Sequence, residues 1–138
     1  ELDLTKKIVF TGFIAESLLD YYCAADLFIT TSRREGGPGA GIKALALELP
    51  VISTDTGILS YLLKQNNAGI ILSKDDSQDW ANEIGRVFLG ENIKIVDAKQ
   101  LEAEYGIEQY IRRLVFCYSQ TLKNFHNGQY FISERGNY

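Results

Sequence analysis

The chain has 138 residues, the size of one domain. Its apolar and charged fractions, 46% and 23%, are those of an ordinary soluble globular protein, and no apolar run approaches the ~20 residues of a membrane span. A net charge of −4 without a basic stripe argues against nucleic-acid binding, and one histidine, His126, leaves too little for a His-based triad or a His-rich metal site.

The chain opens on Glu1, contains no Met and shows no signal-peptide pattern, so it is expected to be part of a longer polypeptide. Ile8-Val9-Phe10, closed by Gly12, predicts a buried strand. Ile14 to Ala25 predicts a helix with Ile14, Leu18, Leu19 and Tyr22 on one face. Leu27 to Thr31 is β-branched and aromatic, a second strand. Residues 32–39 are a polar, Gly-rich loop, and Ala40 to Leu49 is a helix stopped by Pro50. Val51 to Thr54 is a third strand, Ile58 to Gln65 a short helix and Gly69 to Leu72 a fourth strand.

Asp76 or Ser77 can cap the next helix, whose apolar residues are Trp80, Ile84, Val87 and Phe88. Ile95 to Tyr105 reads as a mostly polar helix. From about Ile107 to Phe125 the apolar residues Tyr110, Ile111, Leu114, Val115, Tyr118 and Leu122 repeat at helical spacing. Residues 126–138 form a polar tail after a domain over 1–125. Cys23 and Cys117 fall in these helices, far apart in sequence, and are expected as buried thiols in a reducing compartment. Strands that are continuous apolar runs, alternating with helices, predict an α/β fold: a Rossmann-like parallel sheet with flanking helices.

Ligands of an open parallel sheet bind outside the carboxyl ends of its strands. Three loops are expected there: Gly12-Phe13, Arg33 to Gly39, and Asp55-Thr56-Gly57. In the middle loop Glu35 precedes Gly36-Gly37-Pro38-Gly39, and a helix follows. Its first N–H groups, near Gly39, Ala40 and Gly41, make an anion site for which a diphosphate is the natural guest. A plain Gly-rich turn joining strand to helix is the competing reading.

The run DLFITTSRREGGPGAGIKALALELPVISTDTG resembles the core of the retaining, GT-B-type glycosyltransferases of the group-one, or family-four, branch. VFTGFIAESLLDYYCAAD and AGIILSKDDSQDWANEI extend the resemblance in order over about residues 7 to 90. It implies the incomplete C-terminal, nucleotide-sugar-binding half of a GT-B architecture, with the acceptor domain lying N-terminal to this chain. The implied reaction passes a hexosyl unit from a nucleoside diphosphate to an acceptor hydroxyl with retention and without a metal or other cofactor. The implied location is cytoplasmic, with membrane attachment, if any, through the N-terminal domain.

The resemblance puts Glu35 beside the donor sugar as the catalytic-site carboxylate. It puts the diphosphate at Gly36, Gly37, Gly39, Ala40 and Gly41, and lines the same cleft with Asp55, Thr56 and Gly57, beside which the strand-end reading sets Gly12 and Phe13. Two positions depart from the family pattern. Lys43 stands eight residues after Glu35, where a second Glu would accept hydrogen bonds from the ribose, and Tyr61 replaces a later Glu. A lysine accepts no hydrogen bond. Lys43 is therefore either a phosphate contact or a surface lysine, and a non-catalytic sugar-nucleotide-binding or scaffold domain is the alternative function. A receiver-type signalling domain would need an acidic cluster after the first strand, where Gly12-Phe13 stands, and a phosphosugar epimerase would lean on histidine. The family's strand order, 3-2-1-4-5-6, separates the strand at 8–11 from the strand at 27–31 by two others. Unpaired edges and the bare face of the last helix are expected to make the chain associate with itself.

Overall fold

The computed structural model describes residues 4, 6–14, 16–35, 39–73 and 76–126. The chain divides into two compact units, 1–98 and 99–138.

In the first unit three strands form one parallel sheet in the order β1 (Phe28–Thr30), β2 (Val51–Thr54), β3 (Ile70–Leu72). Parallel neighbours need crossovers. These are α2 (Gly39–Ala46) between β1 and β2, and α3 (Gly57–Gln65) between β2 and β3. The register pairs Ile29 with Ile52 and Ser53 with Ile71. All four residues of β2 are buried, as a central strand covered on both faces requires. Helix α2 packs on β1 and β2, and α3 on β2 and β3. Leu45, Ile52, Leu59, Leu62 and Leu63 are among the fully buried side chains at this junction of helices and sheet.

Helix α1 (Leu18–Cys23) joins the edge of this layer through Tyr22. The Tyr22 ring stacks on Phe28 with centroids 6.0 Å apart, and its hydroxyl donates to the Ala40 carbonyl at 3.1 Å. Helix α4 (Ser77–Phe88) starts where the sequence places a cap. The Asp76 carboxylate accepts from the amides of Gln78 and Asp79 at 2.9 and 3.2 Å. Helices α5 (Ala98–Tyr105) and α6 (Ile107–His126) follow, and α6 has no buried residue. No helix among the described residues is long and apolar enough to cross a membrane.

Four expectations are corrected. The run at Ile8 to Thr11 forms no strand, and Phe10 is 92% exposed. An apolar run becomes a strand only when a neighbour completes its hydrogen-bond ladder, and none of the three strands lies beside it. The helix read from Ile14 to Ala25 shrinks to six residues, with Leu19 exposed. The helix read from Ile95 to Tyr105 starts only at Ala98, because the chain before it is tied elsewhere: the Gly69 amide donates to the Lys94 carbonyl at 2.8 Å, and Val96 is buried. Cys23 and Cys117 are exposed, one closing a short edge helix and the other lying on α6.

Candidate functional site

Because the strands are parallel, the segments leaving β1 and β2 emerge at one end of the sheet. Two of the three expected loops meet there. Glu35 is half-buried, and a Cβ placed on Gly57 would lie 3.1 Å from the Glu35 Cβ. Gly57 also has φ +61°, a backbone region that other residues enter at a cost. Glycine at this position therefore lets the turn into α3 close against the Glu35 loop. Among the described residues Glu35 has no ion pair.

Asp55 and Thr56 occupy the same turn. Both Asp55 carboxylate oxygens receive the Lys64 ammonium at 2.7 Å. That hydrogen bond is the main reason the Asp55 carboxyl titrates below its ordinary range. A carboxylate held low contributes its stabilisation above the unfolded-state value and loses it as the pH falls through the folded-state value. The Asp55 side-chain carbon resonance is accordingly expected to titrate at a lower pH than an unpaired aspartate, and to move upward in Lys64→Met. An unchanged midpoint in that variant would show that the pair does not persist in solution.

Gly39 and Ala40, which open α2, are exposed, and the first N–H groups of a helix have no partner within it. Gly41 is buried, and a Cβ there would meet Leu59 Cδ2 at 2.5 Å, so α2 and α3 are close neighbours. Gly36 and Gly37, with Pro38, lie outside the described residues. Lys43 lines an apolar cavity of about 270 Å³ with Leu18, Leu19, Tyr22, Ala46 and Leu47, between α1 and α2. Glu35 and Gly57 are not among its lining residues. Tyr61, on α3, is exposed.

Gly12 and Phe13 are a correction. With no strand before them they do not form a strand-end loop, and Phe13 is 95% exposed. The structure adds groups to which the sequence reading assigned no role, Thr56 apart. Arg33 and Arg34 share the Glu35 loop and are exposed. A set of hydroxyls links the two strand ends: Thr30 to Ser32 at 3.3 Å, Thr54 to the Ser32 carbonyl at 2.6 Å, and Thr54 to Thr56 at 3.4 Å. The signal was the clustering of Thr and Ser at the ends of both strands.

The model of a family described as "Glycosyl transferases group 1" matches residues 1–89. The chain belongs to the group 1 glycosyl transferases. A D-inositol 3-phosphate glycosyltransferase of Nocardia farcinica is 27% identical over 134 residues, 94% of this chain and 30% of the relative. The lipopolysaccharide core biosynthesis mannosyltransferase LpsB of Rhizobium meliloti is 26% identical over 127 residues, 87% of this chain and 36% of the relative. A putative teichuronic acid biosynthesis glycosyltransferase of Bacillus subtilis, TuaC, is 47% identical over 55 residues, 40% of this chain and 14% of the relative. This glycosyltransferase chain thus spans 14% to 36% of the length of those three relatives. No solved structure matches it.

Proposed function

We propose that this chain is the donor-binding part of a glycosyltransferase that moves a hexosyl unit from a nucleoside diphosphate to an acceptor hydroxyl, with retention at the anomeric carbon. The observation that carries the reading is the meeting of Glu35 with Gly57 at the ends of the strands, with the helix start at Gly39 and Ala40 following on the same loop.

The chemistry asks for what this end of the sheet holds. The leaving group is a diphosphate whose negative charge grows as the glycosidic bond breaks. Backbone N–H groups at the start of α2, held in place before the reaction, stabilise that charge without reorganising. Arg33 and Arg34 stand on the loop where further positive charge is useful. The Lys64 ammonium neutralises Asp55, which otherwise would bring a bare carboxylate to the phosphate side of the cleft. Glu35 accepts hydrogen bonds from the sugar hydroxyls. The acceptor hydroxyl and its surroundings come, in this reading, from sequence outside these residues, because the relatives are about three times longer or more. The mechanism calls on no metal.

A non-catalytic sugar-nucleotide-binding domain is the second reading. The observation behind it is the placement of Lys43 in the wall of the α1–α2 cavity, where it does not replace a ribose-binding carboxylate.

Titration of the ¹⁵N-labelled chain with GDP, UDP and ADP tests the site common to both readings. At least one is expected to shift the amides of Glu35, Gly39 to Gly41 and Gly57, with a dissociation constant of about 10 μM to 1 mM. If none of the three nucleotides moves these amides at millimolar concentration, the donor site is not here. Product formation by the longer native protein then separates the transferase from the binding domain.

A further inference from the structure

We propose that Thr54 is a positioning residue for the donor site, acting through Glu35. The inference rests on the donor-binding reading above and deepens it. Thr54 ends β2 and is 2% exposed. A valine would fill the same space in a buried strand, so the hydroxyl asks for a reason. Its Oγ1 donates to the Ser32 carbonyl at 2.6 Å. The backbone ladder between β1 and β2 ends at the pair Thr30 and Ser53. The Thr54 hydroxyl therefore carries the pairing beyond the last rung, onto the loop itself.

Two further details give that bond a direction. A hydroxyl has one proton to donate. With the Thr54 proton committed to Ser32, the 3.4 Å contact with the Thr56 hydroxyl runs from Thr56 to Thr54. Thr56 precedes α3 yet makes no side-chain cap to it, which fits a hydroxyl turned back toward Thr54. Proton donation in one sense along Thr56, Thr54 and the Ser32 carbonyl polarises each bond in the chain.

The Glu35 loop is thus held at two points by one short turn. Ser32 is tied to Thr54, and three residues later Glu35 rests against Gly57. The turn from Thr54 to Gly57 acts as a template that sets where the Glu35 carboxylate stands when a donor sugar arrives. Removing the Thr54 hydroxyl frees the near end of the loop and leaves the start of α2, where the diphosphate binds, unchanged. Sugar recognition should suffer while diphosphate binding does not.

The test compares a nucleotide sugar with its bare nucleotide by calorimetry, using GDP-mannose with GDP and UDP-glucose with UDP. In the wild-type chain the sugar is expected to tighten binding of the matching pair. Thr54→Val should lower the affinity for the nucleotide sugar about tenfold and leave that for the nucleotide within twofold. Thr54→Ser should recover most of the loss. In a Glu35→Gln background Thr54→Val should cause no further loss, because the two act as one unit. Thr54→Ala repeats the comparison if the valine variant does not fold. A Thr54→Val chain that keeps its preference for the sugar, or a wild type for which the sugar adds nothing, would overturn the role of Thr54 while leaving the diphosphate site standing. A wild type that binds none of the four compounds would remove the donor-site reading and this inference together.

Discussion

Valine in place of Gly69 is expected to remove most of the folding stability of the first unit. Gly69 sits at φ +61°, just before β3. A β-branched residue in that region is a strong outlier, and the strain is about 1–2 kcal/mol or more. Space is the second problem. A Cβ there would lie 2.6 Å from Leu63 Cδ2 and 2.8 Å from the Val51 carbonyl oxygen. The leucine tip can rotate away, but Val51 opens the buried central strand and its carbonyl cannot. Overpacking of this kind costs about 1–3 kcal/mol. Moving the backbone instead would strain the Gly69 amide bond to the Lys94 carbonyl, worth about 1 kcal/mol.

Strain and overpacking together, about 2–5 kcal/mol, compare with total stabilities of about 5–15 kcal/mol, and small domains sit at the low end. Urea unfolding followed by circular dichroism measures it. Gly90→Ala is the control, since Gly90 also has a positive φ of 89° but nothing stands within 4 Å of an added Cβ. That variant should show only the strain. Equal midpoints for the two would contradict the close approach of Gly69 to Val51.

Trp80→Ala is expected to cost about 3–5 kcal/mol. Trp80 lies in the first turn of α4, is 8% exposed, and is the single tryptophan of the chain. Its indole Nε1 donates to the Ser73 carbonyl at 2.8 Å. It therefore ties the start of α4 to the chain just leaving β3. Alanine removes the buried ring and the indole hydrogen bond with it. Trp80→Phe retains most of the apolar bulk and loses the bond, so its cost should be about 1–2 kcal/mol. The two urea midpoints are compared by circular dichroism, because both variants lose the fluorophore. If alanine and phenylalanine cost the same, the ring is not packed as described.

The candidate site was legible in the sequence in its loops and less so in its contacts. Glu35 between a strand and a Gly-rich helix start marked the end of the sheet. Gly57, two residues after Asp55, belonged to a second loop at that end. That Glu35 stands 3.1 Å from where a Cβ on Gly57 would lie is a relation between residues 22 positions apart, which local pattern does not carry. The same holds for Thr54, which reads locally as one more β-branched strand residue. Lys43 was ambiguous for a similar reason. Its helical position was legible, but α1 decides what surrounds it.

Local sequence by itself determined the elements that are stable under almost any packing. The strand-forming runs at Val51 to Thr54 and Gly69 to Leu72, the Asp76 cap before α4 and the 3.6-residue stripe of α6 each act within a few residues. Alternation of such elements implied a parallel sheet, since parallel neighbours require crossovers. Tertiary structure alone decided which apolar runs became strands. Ile8 to Phe10 is as β-prone as Phe28 to Thr30, yet only the latter has a neighbour to complete its ladder. Burial followed the same rule: the stripe of α6 and the thiols of Cys23 and Cys117 carry the composition of buried residues but stand exposed. A strand or an apolar face is stabilised by the groups that cover it, and those lie far off in sequence.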